Sequence, residues 1–144
     1  MRHKGFLYAA EMTDALLDVI HESQWSTRLI AELGSPANLF FHMIRVRDVY
    51  RDALETGILS FPGRFLPDNA HVATELRRSR EQLAQRLAGA CDESVKFGLN
   101  RLSADEICAA AIQHEGLHQG QWYVALKQQG IPLPISWRQD WSLT

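Results

Sequence analysis

Apolar positions along the chain recur at steps of three and four, the mark of helices with one buried face, and no long segment alternates with a strand's period of two. Four helical segments follow from this pattern. The first spans about residues 13–33, where Leu16, Ile20, Ser23, Thr27 and Ile30 share a stripe and Gly34 supplies a C-terminal stop. Two small polar residues in that stripe would leave space between helices rather than fill it. The second starts at Ser35, a good N-cap, with Pro36 where a first-turn proline is tolerated, and runs to about Thr56. Its inward stripe is Leu39, His42, Val46, Val49 and Ala53. Arg45, Arg47, Asp48, Arg51, Asp52 and Glu55 fall mostly on the other side.

The turn-rich stretch SFPGRFLPDN (60–69) predicts a long connection to a third helix over about residues 70–88, which ends before Gly89. That helix shows Val72, Leu76, Leu83 and Leu87 inward. Residues 95–99 alternate briefly, so the link to the fourth helix reads as an extended crossover holding at most a very short strand. Ser103-Ala104-Asp105-Glu106 is a capping-box pattern that opens a helix continuing to about Gln129 and stopping at Gly130. Ile107, Ala111, His114, His118, Gln121 and Ala125 lie along its inward stripe. The tail IPLPISWRQDW cannot be helical through its two prolines, and Trp137 and Trp141 are expected to anchor it. The expected fold class is all-α: a four-helix bundle, one domain over residues 1–144, with a long crossover connection between helices 3 and 4.

Composition narrows the function more than the fold. A net charge of −2 with no basic stripe gives nucleic-acid binding no electrostatic support. The N-terminal run Gly5–Ala10 imitates a signal peptide but is too short and meets Glu11 at once, and no segment is long enough to span a bilayer. Cys91 and Cys108 show neither Cys-x-x-Cys spacing nor a disulfide framework, so a reduced, cytoplasmic setting is expected.

The chemistry concentrates in HEGLHQGQWY (114–123), where His114-Glu115-Gly116-Leu117-His118 fits H-E-x-x-H. Residues four apart on a helix project side by side, so two imidazoles can share one ion. Gln121 lies on the same face, and His42 brings a third imidazole on the seam of another helix. Each buried imidazole needs polar partners or leaves nitrogens unsatisfied at about 1–3 kcal/mol each. Hydrogen-bonded core histidines are the plain alternative. His21 sits beside the seam; His71 and His3 read as structural or exposed. A zinc protease fits poorly. Gln121 stands where the extended motif needs glycine, and Asp140 is the sole carboxylate after His118.

Three stretches resemble the DinB-like (DinB/YfiT-type) family of metal-binding helical bundles. QWSTRLIAEL (24–33) is similar to its first-helix pattern, FHMIRVRDVY (41–50) to the segment with its first metal histidine, and HEGLHQGQWYVALKQQGIPLP (114–134) to its closing H-x-x-x-H-x-G-Q helix with glycine stop and proline. The resemblance covers nearly the whole chain. It implies a divalent metal (zinc, nickel or iron) held by His42, His114 and His118, with other positions open to water or substrate. Position 119 is often histidine or arginine in the family; Gln119 departs from this and changes the expected polarity of the pocket. Thiol-dependent transferases and isomerases are among the activities the resemblance brings in.

The leading expectation is a metal-dependent enzyme of the thiol S-transferase kind, acting on a small-molecule substrate with a low-molecular-weight thiol. Gln121 is expected to orient a ligand and Glu115 to serve as supporting partner or proton acceptor. A metal-dependent hydrolase using bound water, with Glu115 as base, is the second reading. The third is a non-enzymatic, metal-stabilised binding protein, dimeric through helix faces or the Trp-rich tail.

Overall fold

The computed structural model describes residues 2–143 and is mostly helical, with one small hairpin. Helix α1 covers Arg2–Asp14, which corrects the helix expected over residues 13–33. Beyond Asp14 the chain makes two short 3-10 turns, Ala15–Asp18 and Glu22–Gln24, and stays irregular to Ser35. The reason is local. Leu16 and Ile20 are buried, but Ser23 and Thr27 are exposed, and serine and threonine compete with helix by bonding nearby backbone. Here the turns close on themselves: Trp25 donates its indole N–H to the Ile20 carbonyl at 3.1 Å, and the Ala37 amide donates to the Trp25 carbonyl at 2.8 Å.

Helix α2, Pro36–Thr56, begins and ends where its signals place it. Ser35 Oγ accepts from the Asn38 amide, and Gly57 closes the helix at φ 81°. Helix α3, Val72–Ala88, starts two residues later than expected because His71 is the cap, its Nδ1 accepting from the Thr74 amide at 3.3 Å. The crossover holds more strand than expected. Strands β1 (Ser94–Phe97) and β2 (Asn100–Ser103) form an antiparallel hairpin, Val95 opposite Leu102, turning through Gly98 at φ 60°. Helix α4, Ala104–Gln129, has a reciprocal capping box between Ser103 and Glu106 and ends on left-handed Gly130. Past the prolines, α5 (Ile135–Asp140) buries Trp137, whose indole N–H donates to the Met12 carbonyl at 2.7 Å. Trp141 stacks on Trp137 but stays exposed.

The main helix contacts set α2 against α3 and α4, and α1 against the same two. Two apolar clusters result. One gathers Phe6, Val49, Leu83, Val95 and Ile107; the other gathers Leu16, Phe40, Ile44, Leu76, Trp122 and Trp137. Between them each long helix contributes buried polar residues at the same level: Thr13, Arg47, Ser79, Glu115 and Gln119. His114 and His118 of α4 lie half-buried on the adjoining face, each next in sequence to a residue of that layer.

Candidate metal centre

His42 on α2 and His114 and His118 on α4 converge through their Nε2 atoms. His114 Nε2 lies 3.0 Å from His42 Nε2 and 3.2 Å from His118 Nε2, and the three residues form a group able to hold a metal ion. Imidazoles bound tetrahedrally at about 2.0–2.1 Å from a cation would have nitrogens about 3.3 Å apart, close to what is found. Burial, then the neighbouring His118 and Arg45, push the His42 pKa down to about 4. Burial first, then His118, His42, Arg47 and Arg45, push His114 down to about 3. His118 is lowered by burial, against the opposing pull of its Gln121 hydrogen bond and of Glu115. All three rings are therefore poised to stay neutral, the form that ligates metal.

A proton count over these neutral rings leaves the cluster incomplete. Gln121 Oε1 lies 2.9 Å from His118 Nδ1, so that nitrogen carries the proton and His118 Nε2 is bare. Arg45 Nη2, which can only donate, lies 3.2 Å from His42 Nδ1, so the His42 proton is on Nε2. His114 cannot satisfy both neighbours. With its proton on Nδ1, it faces His118 lone pair to lone pair, and Nδ1 is itself buried without a partner among the described residues. With its proton on Nε2, it opposes the proton of His42. A cation among the Nε2 atoms, taking the lone pairs of His114 and His118 and of His42 in its Nδ1–H tautomer, removes the conflict, so the residues present fit a metal.

Glu115 faces elsewhere. Its side chain is 1% exposed, and its two oxygens accept from Arg47 Nη2 at 2.7 Å and Nε at 3.2 Å. Arg47 also donates to Asp14 at 2.9 Å, to the Leu76 and Ala10 carbonyls and to Ser79 Oγ, so one guanidinium touches α1, α3 and α4 from α2. The pattern of polar positions put Arg47 on the outer face of α2; it is 1% exposed. Among sequence signals, only the place of Arg47 between the apolar Val46 and, two residues on, Val49 could have hinted at this. Gln119 is corrected likewise: its amide donates to Ala9 O and Thr13 Oγ1 on α1, so position 119 faces α1, not the histidine pocket.

Two clefts flank the cluster. One of about 300 Å³ is lined by Asn38, Phe41, His42, Arg45, Phe65, Leu66 and Asp68. The other, of about 180 Å³, runs past Leu33, His42, His118, Gln121 and Trp122. His21 and His71 are exposed, and His3 is half-buried on α1. Cys91 is exposed, while burial raises the pKa of the Cys108 thiol.

A mostly helical chain that brings three imidazoles together between two helices defines the class: a helical protein with an interhelical histidine site. The family model of the DinB superfamily matches residues 6–122, a span containing all three histidines, and the chain belongs to that superfamily. The crystal structure of a DinB-like protein from Bacillus subtilis is similar, with a TM-score of 0.73 and 17% identity over 91% of this chain and 95% of that one. A DinB-like protein from Bacillus cereus has a TM-score of 0.67 and 18% identity, over 88% of this chain and 89% of its own. At these identities the likeness is one of fold. No curated protein matches the chain. No helix among the described residues is long and apolar enough to cross a membrane.

Proposed function

We propose that this chain is a four-helix-bundle metalloenzyme that holds a divalent transition metal on His42, His114 and His118 and uses it on a small molecule, transfer to or from a thiol being the leading reaction. The observation that carries the metal is the unmatched proton count among three neutral, converging Nε2 atoms. When bound, such a cation supplies Lewis acidity, favouring ionisation of a thiol or water that shares its open positions. The remaining work belongs to the chain. Gln121 fixes the His118 tautomer by accepting from Nδ1. Leu33 and Trp122 give the smaller cleft apolar walls beside His42 and His118. Glu115, committed to Arg47, positions α4 against α2 rather than exchanging protons with substrate.

Elemental analysis of tag-free protein tests the metal. One equivalent of zinc, nickel or iron is expected in the parent, and less than a tenth of that in His42→Ala, His114→Ala and His118→Ala. Retention of metal by His42→Ala would refute the three-histidine site. Metal-loaded protein is then offered thiols with chlorinated and epoxide electrophiles. Conjugation that stops on metal removal supports thiol transfer, whereas ester or phosphoester turnover without any thiol would replace it with hydrolysis.

A further inference from the structure

The hairpin between α3 and α4 ends in an apolar tip. Its two-residue turn joins Phe97 to Asn100 through Gly98, left-handed at φ 60°, and Leu99. Turn positions facing solvent usually hold a small or polar residue. Leu99 is neither, and it is fully exposed. Phe97, 42% exposed, meets Phe61, 45% exposed, edge to face with ring centres 6.3 Å apart. Ile58, 58% exposed, lies on the segment beside β1, where the Lys96 amide donates to the Gly57 carbonyl and the Leu59 amide to the Lys96 carbonyl. Four large apolar side chains therefore stand exposed on the hairpin and the segment paired with it.

Cations accompany these side chains. Residues paired across strands project to one face, so Lys96, Arg101 opposite it and Ile58 bridged to it form a row on the outer face. Phe97 shares the other face with buried Val95. Among the described residues, no carboxylate lies within ion-pair distance of Lys96 or Arg101; Arg101 donates to Ser94 Oγ at 3.4 Å. Arg64, also exposed, lines a cleft of about 450 Å³ with Ile58 and Phe61. It comes no nearer than 3.9 Å to Asp52, which Arg51 already holds at 2.9 Å. Asp92, Glu93, Asp105 and Glu106 fall beyond the strand ends away from the turn. The hairpin is thus a wedge, with Leu99 at its point, aromatic rings on one side and cations on the other.

Exposed apolar area rimmed by charge marks a contact surface. A second copy of the chain fits it poorly. A two-fold axis centred on the patch would set Lys96 and Arg101 against their own counterparts, and charge on an edge strand opposes pairing. A projecting tip needs a matching recess in a folded partner, whereas a fluid bilayer admits it anywhere. We propose that this hairpin, with Ile58 and Phe61, is a docking wedge for anionic membrane surfaces. Leu99 and Phe97 enter the interfacial region, and Lys96, Arg101 and Arg64 meet the lipid phosphates. The wedge requires no metal at the histidine cluster.

Co-sedimentation with lipid vesicles tests the wedge. The parent should bind vesicles of equal phosphatidylglycerol and phosphatidylcholine about tenfold or more tightly than vesicles of phosphatidylcholine alone. High salt should remove most of that difference. Leu99→Ser should lose about tenfold in binding, because its apolar side chain no longer leaves water. Lys96→Glu should lose about tenfold or more, each basic residue near an anionic surface being worth about fivefold. Both changed positions are exposed, so both variants should keep the parental melting temperature. Lys127→Glu makes the same charge change about 35 Å along α4 and should bind as the parent does. Leu99→Trp should still bind, and the emission it adds should shift to shorter wavelength with vesicles. Failure of the parent to bind anionic vesicles overturns the proposal; dissociation of a dimer by Leu99→Ser would then assign the tip to a second copy. Parental binding by Leu99→Ser and Lys96→Glu places any lipid contact elsewhere and overturns it too. Equal affinity for the two kinds of vesicle removes the cations from the contact, and the proposal with them.

Discussion

Replacing Glu115 by glutamine separates a residue that ties helices together from one that exchanges protons with substrate. The side chains of Glu115 and Arg47 are each 1% exposed, and they meet through two hydrogen bonds of 2.7 and 3.2 Å. Removing one partner of a buried ion pair costs about 3–5 kcal/mol, because the other charge stays buried. Glutamine keeps the shape and one acceptor, and Asp14 still neutralises part of Arg47, so about 2–4 kcal/mol is expected here. At about 2.1 cal/mol/K per residue, a chain of 144 residues has an unfolding entropy of about 0.3 kcal/mol/K, so the melting temperature should fall by about 10 °C. Urea unfolding of Glu115→Gln, Arg47→Met and the double variant gives the coupling energy directly, expected at about 1.5 kcal/mol or more. Zinc stoichiometry should be unchanged in Glu115→Gln. A variant of parental stability that has lost activity or metal would refute the assignment and return Glu115 to the site.

Two further perturbations test the layers around the site. The pKa values of His42 and His114 lie below the ordinary 6.5, at about 4 and about 3, so the metal-free chain should hold their full stabilising contribution above pH 6.5 and lose it as pH falls through those values. The melting temperature should drop more steeply between pH 7 and pH 4 in the parent than in His114→Ala; parallel curves would show that burial of the neutral ring carries no such linkage. At Gly63, φ is 80° and an added Cβ would clash with Val49 Cγ2, so Gly63→Ala should cost about 1–3 kcal/mol by thermal unfolding. Gly57→Ala, at φ 81° with open space around it, is the comparison and should cost only about 1 kcal/mol.

The elements with covalently local stop and start signals were readable: Ser35-Pro36 and Gly57 bound α2, and the Ser103/Glu106 box and Gly130 bound α4. These two helices carry all three histidines, so their convergence into a candidate site was readable with them. Helix α1 was not. Phe6, Ala9, Ala10 and Thr13 do follow helical spacing, but three of the four are small, so the stripe has little contrast, whereas Leu16, Ile20 and Ile30 downstream imitate one. Arg47 was hidden for a different reason. Its burial depends on Glu115 and Asp14, far off in sequence, and local periodicity carries no information about a partner on another helix. The same physics explains the glutamate of H-E-x-x-H. One residue along a helix turns a side chain by about 100°, so where His114 faces His42 and the clefts, Glu115 faces the buried polar layer. A protease would need that carboxylate beside water on the metal's open side. Here the fold turns it toward Arg47, and the motif's spacing serves two faces of one helix, one gathering imidazoles and the other fixing α4 to α2.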